Sequence, residues 1–209
     1  MSRPSLGDSK EFRKGFDHIK KNDPKLGRVL EKHGLIKFKP QGELFESLVE
    51  SILSQQLASA SADSIIRKVR ALYPEGKLEA VAMSKTPSRK LRSSGVSPQK
   101  LTYLKDLSTR VAKGKIDLES LREKDDEEIL TVLDEVRGIG PWTVQMLLIF
   151  TLGRTDVMPV DDLVVRKAIQ RLYSLEEMPK KADVERLSEN WKPYRTVASL
   201  YLWRHKDTG

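Results

Sequence analysis

The sequence contains no cysteine, and this absence excludes three kinds of structure. Disulfide bonds, thiolate zinc sites and cysteine-ligated iron–sulfur clusters all need cysteine sulfur. Because disulfide scaffolds belong mainly to oxidising compartments, a chain without cysteine favours an intracellular location. We therefore expect the cytoplasm or nucleoid, or the nucleus in a eukaryote.

Long apolar runs and histidines are also scarce. No apolar stretch approaches the roughly 20 residues that span a bilayer, so we expect no membrane segment. The N-terminal stretch MSRPSLGDSKEFRKGF starts basic but lacks the apolar core of a secretory signal. The histidines (His18, His33 and His205) are not at metal-ligand spacing, so no side-chain metal site is predicted.

Apolar residues recur at helical spacing through most of the 209 residues, whereas the alternation typical of strands is scarce. The apolar stripes include Leu44, Leu48 and Ile52; Ile129, Leu133 and Val136; Val165, Ile169 and Leu172; and Val197, Leu200 and Tyr201. Gly- or Pro-containing polar stretches separate these stripes, as turns do. The sequence therefore predicts an all-α protein.

The charge is unevenly distributed along the chain. Net charge is +8, with a pI near 9.5. Residues 85–115 contain nine Lys or Arg against one acid, and residues 116–135 contain nine acids against two basic residues. This polarity predicts one face for a polyanion such as DNA and another that faces water.

A glycine-rich break separates two apolar helices in residues 133–150, LDEVRGIGPWTVQMLLIF. Gly138 and Gly140 permit positive φ and the close approach of a ligand, and Pro141 suits the first turn of a helix. The N–H groups of that turn, at the positive end of the helix dipole, can hold a phosphate oxygen. Residues alone leave two interpretations open: a grip on DNA phosphate, or an ordinary turn with a glycine C-cap.

Four segments of the chain resemble a known family. LDEVRGIGPWTVQM (133–146) followed by MPVDDLVVRKAI (158–169) resembles the helix–hairpin–helix plus Gly/Pro–Asp signature of the HhH-GPD DNA glycosylase superfamily. LFESLVESILSQQLASASADSI (44–65) and WKPYRTVASLYLW (191–203) are similar to its alkylbase branch, that of 3-methyladenine DNA glycosylase II. The resemblance implies an all-α, two-lobed fold with the active site in the interlobe cleft. The central lobe would be about residues 45–160, and the second lobe residues 1–44 with 161–209.

The resemblance places the catalytic carboxylate at Asp162, immediately before Leu163-Val164-Val165-Arg166. Cleavage of an N-glycosidic bond builds positive charge on the sugar, which a buried carboxylate stabilises while it orients or deprotonates water. Asp161 is assigned a capping or solvent role, and whether it shares the catalytic role stays open.

The resemblance also implies the roles of other residues. Trp142 and Trp203 would line the base pocket, although Trp203 also suits core packing. Gly138, Ile139, Gly140 and Thr143 would form the phosphate-binding hairpin. Gln56, or Leu57 as second choice, would be the wedge that fills the duplex after the base flips. Leu57 also suits the core, and Gln55 suits a hydrogen bond within the turn.

Strand-cleaving relatives have a lysine two residues after the second hairpin glycine, where this chain has Trp142. We therefore expect a monofunctional DNA glycosylase of base excision repair without AP lyase activity. Its partner would be double-stranded DNA carrying an alkylated purine such as 3-methyladenine or 7-methylguanine. We expect a monomer without an organic cofactor; backbone carbonyls of residues 134–139 could hold a monovalent cation. The alternatives are a non-catalytic helix–hairpin–helix module that binds DNA or damage, and a helical protein-interaction domain.

Overall fold

The structure, a computed structural model, describes residues 5–205 of the chain. In this range the regular elements are all helical, and one isolated β-bridge joins Ser5 to Arg154. The all-α prediction is confirmed. The α-helices are α1 (Ser9–Asn22), α2 (Pro24–His33), α3 (Leu44–Ser54), α4 (Ser59–Arg70), α5 (Ala80–Lys85), α6 (Ser88–Ser93), α7 (Pro98–Ala112), α8 (Asp126–Asp134), α9 (Pro141–Phe150), α10 (Leu163–Tyr173), α11 (Lys181–Ser188) and α12 (Arg195–His205). Short 3₁₀ helices lie at Pro74–Gly76, Glu119–Arg122 and Glu189–Trp191.

The described residues divide into two compact units. The terminal unit combines the described parts of Met1–Gln41 and Leu148–Gly209, and the central unit is Gly42–Leu147. The lobes expected from the sequence, divided near residues 44 and 160, stay a prediction, as does the cleft between them. Within residues 5–205, every helix falls short of the length and apolar character that a membrane crossing requires.

In the terminal unit, α1 packs against α2 and α12, and α10 packs against α12 and α2. The buried carboxylate of Asp23 joins these elements from the turn between α1 and α2. Its Oδ1 accepts the N–H groups of Lys25 and Leu26 at the start of α2. Its Oδ2 accepts a hydrogen bond of 2.8 Å from Nε1 of the fully buried Trp191 and another from the hydroxyl of Tyr173. Each of these polar groups thus has a hydrogen-bond partner in the core.

In the central unit, α7 packs against α3, α5 and α6, and α3 packs against α4. Long basic side chains stabilise the loops between these helices. Arg70 bonds Glu46, Glu50 and the carbonyl of Gly76. Lys105 donates from α7 to the carbonyls of Met83 and Ser84 at the end of α5 and to that of Thr86 just after it.

The acidic segment 116–135 has a local structural role. Asp125 and Glu128 form a capping box at the start of α8, and acids fill its first turn. Carboxylates at this end stabilise the helix through its exposed N–H groups and its dipole. The helix then ends at Asp134, and the chain reaches the start of α9 at Pro141, where the sequence predicted it.

Candidate active site

Asp162 is the buried N-cap of α10 in the terminal unit, with 9% of its surface exposed. Its Oδ1 accepts the backbone N–H groups of Val164 and Val165, each at 2.9 Å. Nε1 of Trp203, in α12, donates to the same oxygen at 3.1 Å. Three donors and the positive end of α10 therefore stabilise a negative charge at a fixed position.

The neighbouring carboxylate of Asp161 lies in a different environment. Its side chain is 44% exposed, and Oδ2 lies 2.6 Å from Nζ of Lys181. Of the two roles expected for Asp161, capping or solvent, this geometry agrees with the solvent-facing one. Asp162 performs the capping, because its side chain faces the first N–H groups of α10 whereas Asp161 points to Lys181.

An aromatic surface extends away from Trp203 in the terminal unit. The Trp203 ring is stacked on Phe150, with centroids 5.6 Å apart and planes inclined by 27°. Phe150 in turn lies 6.1 Å from Phe38, and 42% of Phe150 is exposed. Sequence reasoning missed Phe150 and Phe38: Phe150 ends an apolar run that resembles core, and Phe38 lies in a polar loop. The structure therefore shows Trp203 half-buried between the Asp162 carboxylate and the exposed Phe150 ring, and its role in a base pocket stays a prediction.

The hairpin lies in the central unit, between α8 and α9. Gly138 has a φ of +82°, as the glycine pattern predicted. A Cβ on Gly138 would lie 2.1 Å from the Tyr103 ring, so the absence of a side chain is needed for packing as well as for φ. A Cβ on Gly140 would have no neighbour within 4 Å. The backbone at Gly140 is therefore open to an approaching ligand.

The other predicted hairpin residues differ in exposure. Ile139 and Thr143 are buried, with 3% and 4% of their surfaces exposed. They anchor the hairpin, so any contact they make with phosphate must come mainly from the backbone. Trp142, by contrast, is 43% exposed in the first turn of α9. The first hydrogen bond of that turn runs from Val144 N–H to the Gly140 carbonyl.

The predicted wedge lies in the turn between α3 and α4. Gln56 is exposed and has a φ of +57°, an uncommon conformation for a residue with a side chain. Leu57 is 40% exposed, so the alternative that placed it in the core is wrong. Gln55 forms a hydrogen bond, but outside its own turn: Nε2 donates to the Gly138 carbonyl at 2.7 Å.

Wedge and hairpin border one polar depression of about 350 Å³ in the central unit. It is lined by Gln55, Gln56, Gln99, Lys100, Tyr103, Gly138, Ile139 and Gly140. Nζ of Lys100 donates to the carbonyl of Leu53 at 2.7 Å, and desolvation lowers the pKa of this amine. The structure thus brings together Gln56, the first choice for the wedge, and three of the four predicted hairpin residues; Leu57 and Thr143 do not line the depression.

The basic segment 85–115 contributes less surface charge than its composition indicates. Lys100, Lys105 and Arg110 are half-buried and bond protein oxygens. The exposed basic residues of the segment are Lys85, Arg89, Lys90, Arg92, Lys113 and Lys115. A count of basic residues cannot separate these two groups, because it does not include the direction in which each side chain points.

The expected cation concerns the backbone carbonyls of residues 134–139. Two of these carbonyls already accept hydrogen bonds: that of Val136 from the Ile139 N–H, and that of Gly138 from Gln55. In residues 5–205 no group of three or more His, Asp or Glu side chains could hold a metal ion. A carbonyl-bound monovalent cation at this turn stays a prediction.

Comparison with known proteins identifies the family. The model of the HhH-GPD superfamily base excision DNA repair protein matches residues 49–193, more than half of the chain. The matched range includes the wedge turn, the hairpin and Asp162. The chain therefore belongs to the HhH-GPD superfamily of base excision DNA repair proteins.

Individual relatives agree with this assignment. DNA-3-methyladenine glycosylase 1 of Schizosaccharomyces pombe is 35% identical over 78% of this chain and 72% of its own length. The structure of the S. pombe 3-methyladenine DNA glycosylase in complex with abasic DNA matches with a TM-score of 0.84 and 32% identity, over 91% of this chain and 95% of that one. The DNA-3-methyladenine glycosidase of Bacillus halodurans matches with a TM-score of 0.84 and 30% identity, over 93% and 89%. These matches favour a base excision repair glycosylase over the two non-catalytic alternatives.

Proposed function

We propose that this chain is a monofunctional DNA glycosylase that releases alkylated purines, such as 3-methyladenine and 7-methylguanine, from double-stranded DNA. The observation that carries the proposal is the buried carboxylate of Asp162, held by Trp203 and by the first N–H groups of α10. A protein that only binds DNA gains nothing from a fixed anion, because it repels phosphate. The named relatives, which are 3-methyladenine glycosylases, support the same substrate class.

The proposed reaction breaks the bond between C1′ of the sugar and the purine nitrogen. The bonding electrons leave with the base, which is already cationic when alkylated and departs neutral. Positive charge then develops on the sugar, and Asp162 stabilises it. The oxygen of a water molecule forms the new bond to C1′, and its proton passes to Asp162 or to solvent. Water is the only co-reactant, so we propose no organic cofactor.

Selectivity in this proposal has two sources. The charged base leaves more easily than a normal base, and indole faces attract a cationic base by about 0.5–2 kcal/mol. Trp203, extended by Phe150, offers such a face in the terminal unit, and the exposed Trp142 offers one in the central unit. The hairpin would hold the DNA backbone through the N–H groups at the start of α9. The protein would act as a monomer.

The absence of lyase activity is part of the proposal. A lyase needs an amine that attacks the sugar, and Trp142 stands where strand-cleaving relatives have that lysine. An abasic strand should therefore stay intact until alkali is added.

The test measures free base released from methylated duplex DNA, with strand breaks scored before and after alkali. Wild type should release methylpurines and leave strands intact before alkali. Asp162→Asn should lose the release, whereas Asp161→Asn, the matched control, should keep it. Binding without release by the wild type would support the non-catalytic module. Release that survives Asp162→Asn but not Asp161→Asn would move the catalytic role to the neighbouring carboxylate.

A further inference from the structure

One side-chain hydrogen bond joins the wedge turn to the hairpin. Nε2 of Gln55, the C-cap of α3, donates to the carbonyl of Gly138 at 2.7 Å across 83 positions of sequence. The position of Gly138 in the hairpin is constrained, because this residue packs closely against the Tyr103 ring. Gln55 is thus bonded to a fixed point on the hairpin.

The end of α3, which leads into this turn, is held from α7. Lys100 donates to the carbonyl of Leu53, two residues before Gln55, and desolvation lowers its pKa. Gln99 donates to the Tyr103 hydroxyl, so the adjacent part of α7 is also ordered. The residues before the wedge therefore have fixed partners, whereas Gln56 and Leu57 remain exposed.

The bond between the wedge turn and the hairpin affects how accurately the wedge side chain is placed. A base step rises about 3.4 Å, so a side chain that fills the vacated space must be placed accurately relative to the gripped phosphates. An error of about 1 Å in positioning can lower a rate by about two orders of magnitude. A direct bond from the wedge turn to the hairpin is a physical means of setting that distance.

We propose that Gln55 is a positioning residue, which fixes the wedge, Gln56 and Leu57, in register with the phosphate-binding hairpin. The proposal rests on the proposed function, since it assumes a flipped base and a gripped backbone. Gln55 touches no reacting atom in this scheme, and it acts through the wedge. Its contribution is confined to the extrusion of the base.

The experiment compares Gln55→Met, which keeps length but removes the donor, with wild type in single-turnover excision of 7-methylguanine. One duplex pairs the lesion with cytosine, and the other places it opposite a tetrahydrofuran abasic analogue, where flipping is easier. With cytosine opposite, excision should slow about tenfold, and opposite the analogue it should slow less than about threefold. Gln55→Asn, which keeps the amide but is too short to reach, should behave in the same way.

A matched control and a double variant separate positioning from structure. Gln170→Met removes an exposed amide-to-carbonyl bond of 3.4 Å, to Glu176, far from the wedge in sequence, and should leave both rates unchanged. Adding Gln55→Met to Gln56→Ala should cost little more than Gln56→Ala alone, because both changes disable one wedge. Equal slowing on both duplexes, or fully additive losses in the double variant, would overturn the proposal.

Failure of the proposed function gives a different result. If wild type releases no base, that function is refuted, and affinity for the 7-methylguanine duplex with cytosine opposite the lesion then tests the positioning alone. Gln55→Met and Gln56→Ala should each weaken this affinity by about three- to tenfold, and the double variant by no more than either. Unchanged affinity of Gln55→Met would overturn the proposal by this route.

Discussion

The two hairpin glycines should fail in different ways when alanine replaces them. In Gly138→Ala the positive φ costs about 1–2 kcal/mol, and overlap with Tyr103, 2.1 Å from the new Cβ, adds about 1–3 kcal/mol. The sum, roughly 2–5 kcal/mol, is a large part of a typical unfolding free energy of about 5–15 kcal/mol. In Gly140→Ala the new Cβ meets nothing within 4 Å, so the unfolding free energy should change by less than about 1 kcal/mol. That Cβ would instead obstruct the approach of phosphate and should weaken DNA binding about tenfold.

Urea unfolding and DNA affinity at fixed salt measure the two effects separately. The steric part is isolated by repeating Gly138→Ala in a Tyr103→Ala background, where only the conformational cost of about 1–2 kcal/mol should remain. Wild-type unfolding of Gly138→Ala would refute the packing argument. Wild-type DNA affinity of Gly140→Ala would refute the assignment of the open backbone to phosphate.

Three further perturbations test other contacts. Trp203→Phe keeps an aromatic ring but removes the hydrogen-bond donor to Asp162. Because a charge-assisted hydrogen bond of roughly 1.5–3 kcal/mol is lost, base release should slow about 10- to 100-fold. Single-turnover kinetics would measure this, and an unchanged rate would contradict it. Asp23→Ala removes a helix cap and leaves buried donors unpaired, and should lower the unfolding free energy by about 2–4 kcal/mol. Urea unfolding measures this, and a change below about 1 kcal/mol would contradict the prediction. Burial alone would raise the pKa of Glu46, but hydrogen bonds from Arg70 and a backbone N–H lower it overall. This contact therefore stabilises the fold above about pH 4.5, and the stabilisation is lost as pH falls through the lowered pKa. Arg70→Met should flatten the fall in unfolding free energy between about pH 5 and 3, and an identical profile would exclude the contact as its source.

Helix periodicity and turn chemistry carry most of the information about the fold. The helical stripes and the Gly/Pro breaks are local signals, so the all-α prediction and the start of α9 at Pro141 were within reach of the sequence. The positive φ of Gly138 was likewise readable from its residue type.

Contacts between residues distant in sequence were not readable in the same way. The bond from Trp203 to Asp162 spans 41 positions, and nothing in either local pattern specifies it. The sequence left Asp161 with either a capping or a solvent role, because two adjacent carboxylates before a helix look equivalent until their directions are known. Phe150 was missed for a related reason: an apolar helix end does not reveal whether its last ring is covered.

The left-handed backbone of Gln56 limits how the wedge can diverge among descendants of this sequence. A φ of +57° is tolerated by glycine and asparagine but strongly disfavours valine, isoleucine and threonine. Mutational drift at position 56 is therefore confined to a few unbranched or small residues. Leu57 carries no such restriction, since it does not share the positive φ, and it is also exposed. Substitutions that add a larger or more hydrophobic side chain to this turn should accordingly occur at position 57, while position 56 keeps a residue that tolerates the positive φ.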